Sequence, residues 1–563
     1  MLARHPRVLL LLLVIALGAS GLAGIPPVDR DEPQFTQPAR QMLTSGDFLD
    51  IEFQGAPLAQ KPVMSYWLEA ASAALLGGPH HARIWAYRVP SVAGVALATI
   101  LAFELAGALF GPRAGWPAAL LVATSVLVQS QAHQARADAV LLAGMMCVTY
   151  PLARAWMADG RHSGRHERAL AALFWAGLAF SMLTKGPVVP ALIAPAAAVL
   201  SLRRRRLRWL RALHAAWGVP LFLLLLLPWP VALIWLRGPS LLAHAWQTDI
   251  YPKMISGQES HGFPPLSYVI ASPLLLWPAT LLLPCALELA WRRRGEAAVE
   301  FCWATVLPGW LLFELAPTKL PHYVMPFVPL LAALMAACCI RWRGWMPSRG
   351  ALRAGSVLFA LSGGAVVAVV VLALLRLGPG VDGSALAWIL ALCAGIVLAA
   401  LTAWRGWLSH TVAAAALCGA LASLTVFGFA MPRLDRLWVA DRAARVARTV
   451  APAPEPAVVV GYDEPSLVFL LGRRTRFEGP AQAARALEEG SAAVAIVAGR
   501  EAEGFVEAAD RERLALRRVA TLRGIDPVHG TAIALEVWAP AAAVSCWSAE
   551  RAGRRGSCGR RFG

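Results

Sequence analysis

Long apolar runs alternate with short polar ones from residue 8 to about residue 434, and that alternation predicts a bundle of membrane-spanning helices. A span needs about 20 apolar residues, or roughly 17 at the short end. Runs of that size fall at 8–25, 86–110, 115–133, 138–157, 169–183, 186–202, 213–236, 266–290, 297–316, 322–340, 355–375, 385–404 and 410–430, thirteen in all. The fifth and sixth are separated only by Thr184-Lys185-Gly186-Pro187. Val8 to Gly24 follows three basic residues and has the look of a signal peptide. With many spans behind it and no small-x-small cleavage site, it reads as an uncleaved first span. The pattern changes after Leu434. A helix is predicted over 441–450, a hinge at Pro452 to Pro456, and strands at 457–461, 466–471 and 492–497. Helices near 480–489 and 501–516 complete a small α/β domain over 435–540. The basic residues 541–563 read as a disordered tail.

One polar stretch interrupts the bundle early. The first loop, residues 26–85, holds two predicted amphipathic helices, over 33–45 and from Met64 to Leu76. It also carries Asp31, Glu32, Arg40 and Lys61 at the mouth of the bundle, and charges are expensive beside lipid unless they serve a ligand.

Composition agrees with a multi-pass membrane protein: 58% of the 563 residues are hydrophobic and 15% charged. The net charge of +18 would suggest nucleic acid in a soluble chain, but the arginines sit in alternate short loops. With the N-terminus in the cytoplasm, the inside loops are 111–114, 158–168, 203–212, 291–296, 341–354 and 405–409. Each carries arginine, most densely at Arg203 to Arg206, Arg208 and Arg211, which is the positive-inside pattern. These arginines read as topology anchors touching anionic lipid, and no nucleic acid is expected. The same topology places the first loop, Arg136-Ala137-Asp138, Thr184-Lys185-Gly186, His261 and the Lys319–Tyr323 segment all on the outer face. Seven cysteines lie in apolar runs, and none has zinc spacing. Cys546 and Cys558 can pair if the tail is outside the cytoplasm.

Each candidate has a plainer reading. Asp31 and Glu32 suit the first turn of a helix, where acids favour the macrodipole. Lys61 before Pro62 is either a phosphate-binding cation at a helix entrance or a snorkelling lysine. Arg136 and Asp138 form either a mutual salt bridge or a base with an anion partner. Lys185 interrupts two short spans, where irregular backbone lines a cavity. Lys319, His322 and Tyr323 cap a span, and His261 is a loop histidine.

In order along the chain stand Asp31-Glu32, Gly46-Asp47-Phe48, Lys61-Pro62, Tyr66-Trp67-Leu68, Arg136 with Asp138, Leu183-Thr184-Lys185-Gly186-Pro187, and Lys319-Leu320-Pro321 with Tyr323 and Pro326. This series resembles the bacterial lipid A aminoarabinose transferases and their polyprenyl-phosphate-sugar-dependent, mannosyltransferase-like relatives of the GT-C class. The resemblance implies an inverting glycosyltransferase of the bacterial inner membrane, with a periplasmic cavity that receives an undecaprenyl-phosphate sugar. The acceptor it implies is an envelope glycolipid such as lipid A, or a protein Ser/Thr. Asp31, Asp138 and Lys61 would be catalytic. Glu32, Arg40, Arg136, Lys185, His261, Lys319 and Tyr323 would bind substrate, with Lys61, Lys319 and Tyr323 on the lipid phosphate. Gln60 and Gln34 depart from the pattern, replacing an acidic residue and an arginine. The first departure removes a metal ligand, so no metal or other cofactor is expected. A transporter with its charges facing each other at mid-depth is the competing reading.

Overall fold

A computed structural model describes residues 5–58, 61–77, 83–159, 164–238, 264–451 and 456–541. Every one of the thirteen predicted segments contains helix. Among the described residues, eight helices are long and apolar enough to cross a membrane. A ninth candidate, Ser267–Leu275 with Ala279–Arg292, is bent by 109° at its break. The other four segments depart from a simple span for visible reasons. The first helix, α1 (Pro6–Ala19), has only 14 residues. Segment 115–133 breaks into α5 (Gly115–Ala123) and α6 (Val126–Ala132), with the Ser125 hydroxyl accepting from the Val128 amide at the new N-terminus. Helix α8 (Arg165–Lys185) carries Arg165, Glu167 and Arg168 in its first turn, and α9 (Val188–Arg204) ends on two arginines.

At the centre of the bundle lies α7 (Ala137–Ala158), almost wholly buried. Small residues permit that. A methyl group on Gly94 of α4 (Trp85–Phe110) would sit 2.7 Å from the Ala139 carbonyl oxygen, so α4 and α7 touch backbone to backbone. Gly144 and Gly177 serve the same purpose between α7 and α8, against Ser181 and Cys147. The alternation of helix directions sorts the chemistry by end. Helix α7 has Asp138 in its first turn and α8 finishes at Lys185, so these two share one end. Asp159 and Arg204 meet at the other, 3.9 Å apart, where Arg203 also bonds Glu300 at 2.6 Å.

The first loop forms α2 (Asp31–Ser45) and α3 (Met64–Gly77), much as the polar and apolar pattern predicts. Between them, strands β1 (Glu52–Phe53) and β2 (Ala56–Pro57) pair across Gln54-Gly55, both with positive φ.

In the C-terminal domain the expected strands β3 (Ala457–Val460) and β5 (Val494–Ala498) are present and parallel. The expected strand 466–471 is instead the helix Pro465–Leu471. A short run buried on every side carries no period to separate strand from helix, and Pro465 favours a helix start. The expected helix 501–516 ends at Arg511. Three further strands were not expected: the two-residue β4 (Arg476–Phe477), β6 (Leu516–Ile525), whose three arginines hide its alternation, and β7 (Ala532–Pro540). The sheet order is β4-β3-β5-β7-β6. The domain rests on the first loop and the start of α4: Gln54 Nε2 donates to the Thr475 carbonyl, and Phe469 packs edge-on against Tyr87. The expected hinge at 452–456 and the basic tail fall almost wholly outside the described residues.

Candidate active site

Four separate chain segments bring charge to one end of the bundle. Asp138, in the first turn of α7, is the hub. Its Oδ1 lies 2.5 Å from Lys185 Nζ, at the last residue of α8, and 3.5 Å from His322 Nε2, at the entrance to the span Pro321–Cys339. Its Oδ2 faces Arg136 Nε at 3.7 Å. Arg136 then reaches outward, donating from Nη2 to Asp31 at 2.6 Å. Asp138 and His322 are nearly buried, whereas the Asp31 side chain is 53% exposed. The cluster therefore opens toward the first loop at Asp31. Tyr323 presents its ring 5.6 Å from Lys185 Nζ and packs on Phe313.

The remaining predicted residues are distributed around this cluster. Lys61 is half-buried at the entry to α3. Two residues on, Val63 packs with Phe35, Tyr66 and Ala137, which sets that entry against the start of α7. Lys319 is nearly buried and donates to the Ala316 carbonyl at 3.0 Å. Arg40 lies away from the cluster, donating to the Phe469 carbonyl and stacking on that ring. His261 lies outside the described residues.

Glu32 behaves unlike a ligand-binding group. It is fully buried, paired with Arg88 by two bonds of 2.7 and 2.8 Å, and accepts from the amides of Val28 and Ala135. Arg88 also donates to the carbonyls of Leu22, Ile25 and Pro26. No acceptor capacity on Glu32 remains for a substrate. Its work is to fasten the first loop and the Ala135–Arg136 turn onto α4, next door to Asp31 and Arg136. Arg88 went unremarked in the sequence because one arginine inside a span gives no hint of its partner. His322, read there only as a helix cap, belongs to the cluster. Its place directly before Tyr323 at a span entrance was the available signal.

Chemically, two carboxylates and two permanent cations form a near-neutral array with a histidine at its base. Asp138 orients three cationic or polar groups at once. Asp31 has one ion-pair partner and an open face, so it is the carboxylate better placed to take a proton.

Residues 60–235 match a family model described as dolichyl-phosphate-mannose-protein mannosyltransferase. An undecaprenyl phosphate-alpha-4-amino-4-deoxy-L-arabinose arabinosyl transferase from Pseudomonas aeruginosa is 30% identical over 316 residues, 55% of each chain. A protein of the same name from Edwardsiella ictaluri is 30% identical over 320 residues, 56% of each. The aligned part of the chain thus spans about half the length of these curated relatives. Among solved structures, ArnT from Cupriavidus metallidurans bound to undecaprenyl phosphate superposes with a TM-score of 0.75 at 19% identity, covering 94% of this chain and 97% of that one. The apo form of the same protein matches with a TM-score of 0.74. The resemblance read from the motifs is borne out as a similarity to these relatives, and the fold is the multi-pass helical fold of that solved structure.

Proposed function

We propose that this protein is an inner-membrane glycosyltransferase. In this reading it takes a sugar, of the aminoarabinose class named for its relatives, from an undecaprenyl-phosphate donor. It transfers the sugar with inversion to lipid A or a similar envelope glycolipid on the periplasmic face. The observation that carries the reading is the convergence of Asp31, Arg136, Asp138, Lys185 and His322 from four segments at one end of the bundle. The relatives' names and the undecaprenyl-phosphate-bound structural match point the same way. Charges at helix ends, and not facing each other at mid-depth, also weigh against a transport pathway.

The chemistry follows from the donor. The bond from the anomeric carbon to the phosphate oxygen breaks, and its electron pair stays on the departing polyprenyl phosphate. That leaving group gains charge, which fixed cations in a low-dielectric site stabilise more than water-screened ones. Lys61, Lys185 and Arg136 are the candidates, with Lys319 and Tyr323 nearby. The acceptor oxygen attacks the anomeric carbon from the opposite face. If that oxygen is a hydroxyl, Asp31 accepts its proton; if it belongs to a phosphate, no base is needed. The inert lipid tail lies along apolar helix surface, which explains why such chemistry sits on a membrane scaffold.

Asp31→Asn and Lys61→Ala should each abolish transfer in membranes while protein abundance stays normal, read by mass spectrometry of lipid A. Wild-type transfer by both variants would reject this site. A protein Ser/Thr acceptor is the second reading, favoured by the family model over residues 60–235, and glycopeptide analysis of the same cells separates the two.

A further inference from the structure

A second cluster of ligating side chains lies where the C-terminal domain meets the first loop, away from the array around Asp138. The loop after β3 supplies Tyr462 and Glu464, and the turn between β6 and β7 supplies Asp526 and His529. One carboxylate oxygen each from Glu464 and Asp526 and one ring nitrogen of His529 all lie within 4.8 Å of one another. Asp526 Oδ1 accepts from the amides of Val528 and His529, and Oδ2 meets His529 Nδ1 at 2.9 Å.

Two independent features show that this cluster is incomplete. Glu464 is only 3% exposed, yet its Oε2 makes no hydrogen bond among the described residues. Tyr462 is equally buried, its hydroxyl is likewise unpaired among the described residues, and it lies within electrostatic reach of Asp29, Glu464 and Asp526. A buried acceptor and a buried hydroxyl without partners are costly, and several carboxylates gathered together call for positive charge. Arg30 and His529 are the basic groups that act on Glu464.

We propose that Glu464, Asp526 and His529 bind one divalent transition-metal ion of the Zn2+ type. Two carboxylate oxygens and an imidazole nitrogen suit such an ion, with the fourth position left to water. Bound ligand atoms would draw in to about 2.0–2.2 Å from the ion, a small closure for the exposed His529 turn. The ion would tie the β6–β7 turn to the loop before helix Pro465–Leu471. Ser466 of that helix already holds Asp29 through its amide and hydroxyl, at 2.9 and 2.6 Å, two residues before Asp31. The absence of a metal ligand at Gln60 concerns the first-loop motif only and does not reach these residues. The site also stands apart from the transferase reading and survives if that reading fails.

The test uses the full chain in detergent, stripped with chelator and titrated with Zn2+ alone by calorimetry, with metal content measured by mass spectrometry. One ion per chain is expected, together with a Zn2+-dependent rise in melting temperature. His529→Ala, on an exposed turn and so tolerated by the fold, should weaken binding by roughly tenfold or more and lose the thermal shift. Glu464→Gln should behave the same way. Failure of the wild type to hold a stoichiometric ion would overturn the proposal. So would unchanged affinity in His529→Ala, or preference for Ca2+ over Zn2+.

Discussion

Arg88→Met should destabilise the protein and silence the site without touching it. The Arg88 and Glu32 side chains are both fully buried, and the guanidinium makes five bonds, two to the carboxylate and three to backbone carbonyls. Removing it strands the Glu32 carboxylate on two amide donors and orphans the carbonyls of Leu22, Ile25 and Pro26. Breaking one side of such a pair costs about 3–5 kcal/mol, most of it from the charge left behind. With each kcal/mol worth about 2–4 °C in a cooperative unit of 150–250 residues, the melting temperature should fall on the order of 10 °C. Thermal unfolding of the full chain in detergent, followed by tryptophan fluorescence, measures this. Glu32→Met combined with Arg88→Met should recover part of the loss, because no buried charge is then unpaired. Sugar transfer should be lost in Arg88→Met even where the protein is folded, since the Ala135 amide anchors the turn that carries Arg136. A single variant that melts within about 1 °C of wild type, or a double variant worse than the sum of both singles, would refute this account of the loop.

Further expectations concern the helices around the site. Glu69 of α3 is buried with Oε2 unpaired among the described residues, and burial followed by repulsion from Glu32 pushes its pKa well above the usual 4.5. A raised folded-state value means stability is full below about 4.5 and declines as pH rises toward the folded value. Wild-type melting temperature should therefore drop with rising pH, and Glu69→Gln should flatten that slope and melt higher than wild type in alkali. A steeper slope in Glu69→Gln would contradict this. Gly94→Ala puts a methyl group 2.7 Å from the Ala139 carbonyl and should cost about 1–3 kcal/mol while displacing Asp138, lowering both melting temperature and transfer rate. Full activity and stability in that variant would show that the α4–α7 contact is more compliant than its spacing implies.

Much of this protein can be read from the chain alone, because lipid enforces simple rules. Backbone groups in a membrane must bond within their own helix, so apolar runs of sufficient length declare the spans, and arginine placement declares their ends. Helix α2 and the entry to α3 were equally visible through their polarity and Pro62. The motif order carried the resemblance to the aminoarabinose transferases, whose names the matching relatives bear.

What the sequence could not contain is which charges meet. Asp138, Lys185 and His322 are joined only because α7 and α8 pack closely through Gly144 and Gly177 and the span Pro321–Cys339 starts beside the same end. Glu32 looked like its neighbour Asp31, yet Asp31 opens outward while Glu32 turns in to Arg88. Segment 466–471 folded as helix where a strand was expected, and β6 escaped notice, because a short buried run and an arginine-lined strand lack a clear period. Local pattern therefore determined most of the elements. Pairing, burial and the choice between a structural and a chemical carboxylate were decided by tertiary packing, since those depend on contacts between residues far apart in the chain.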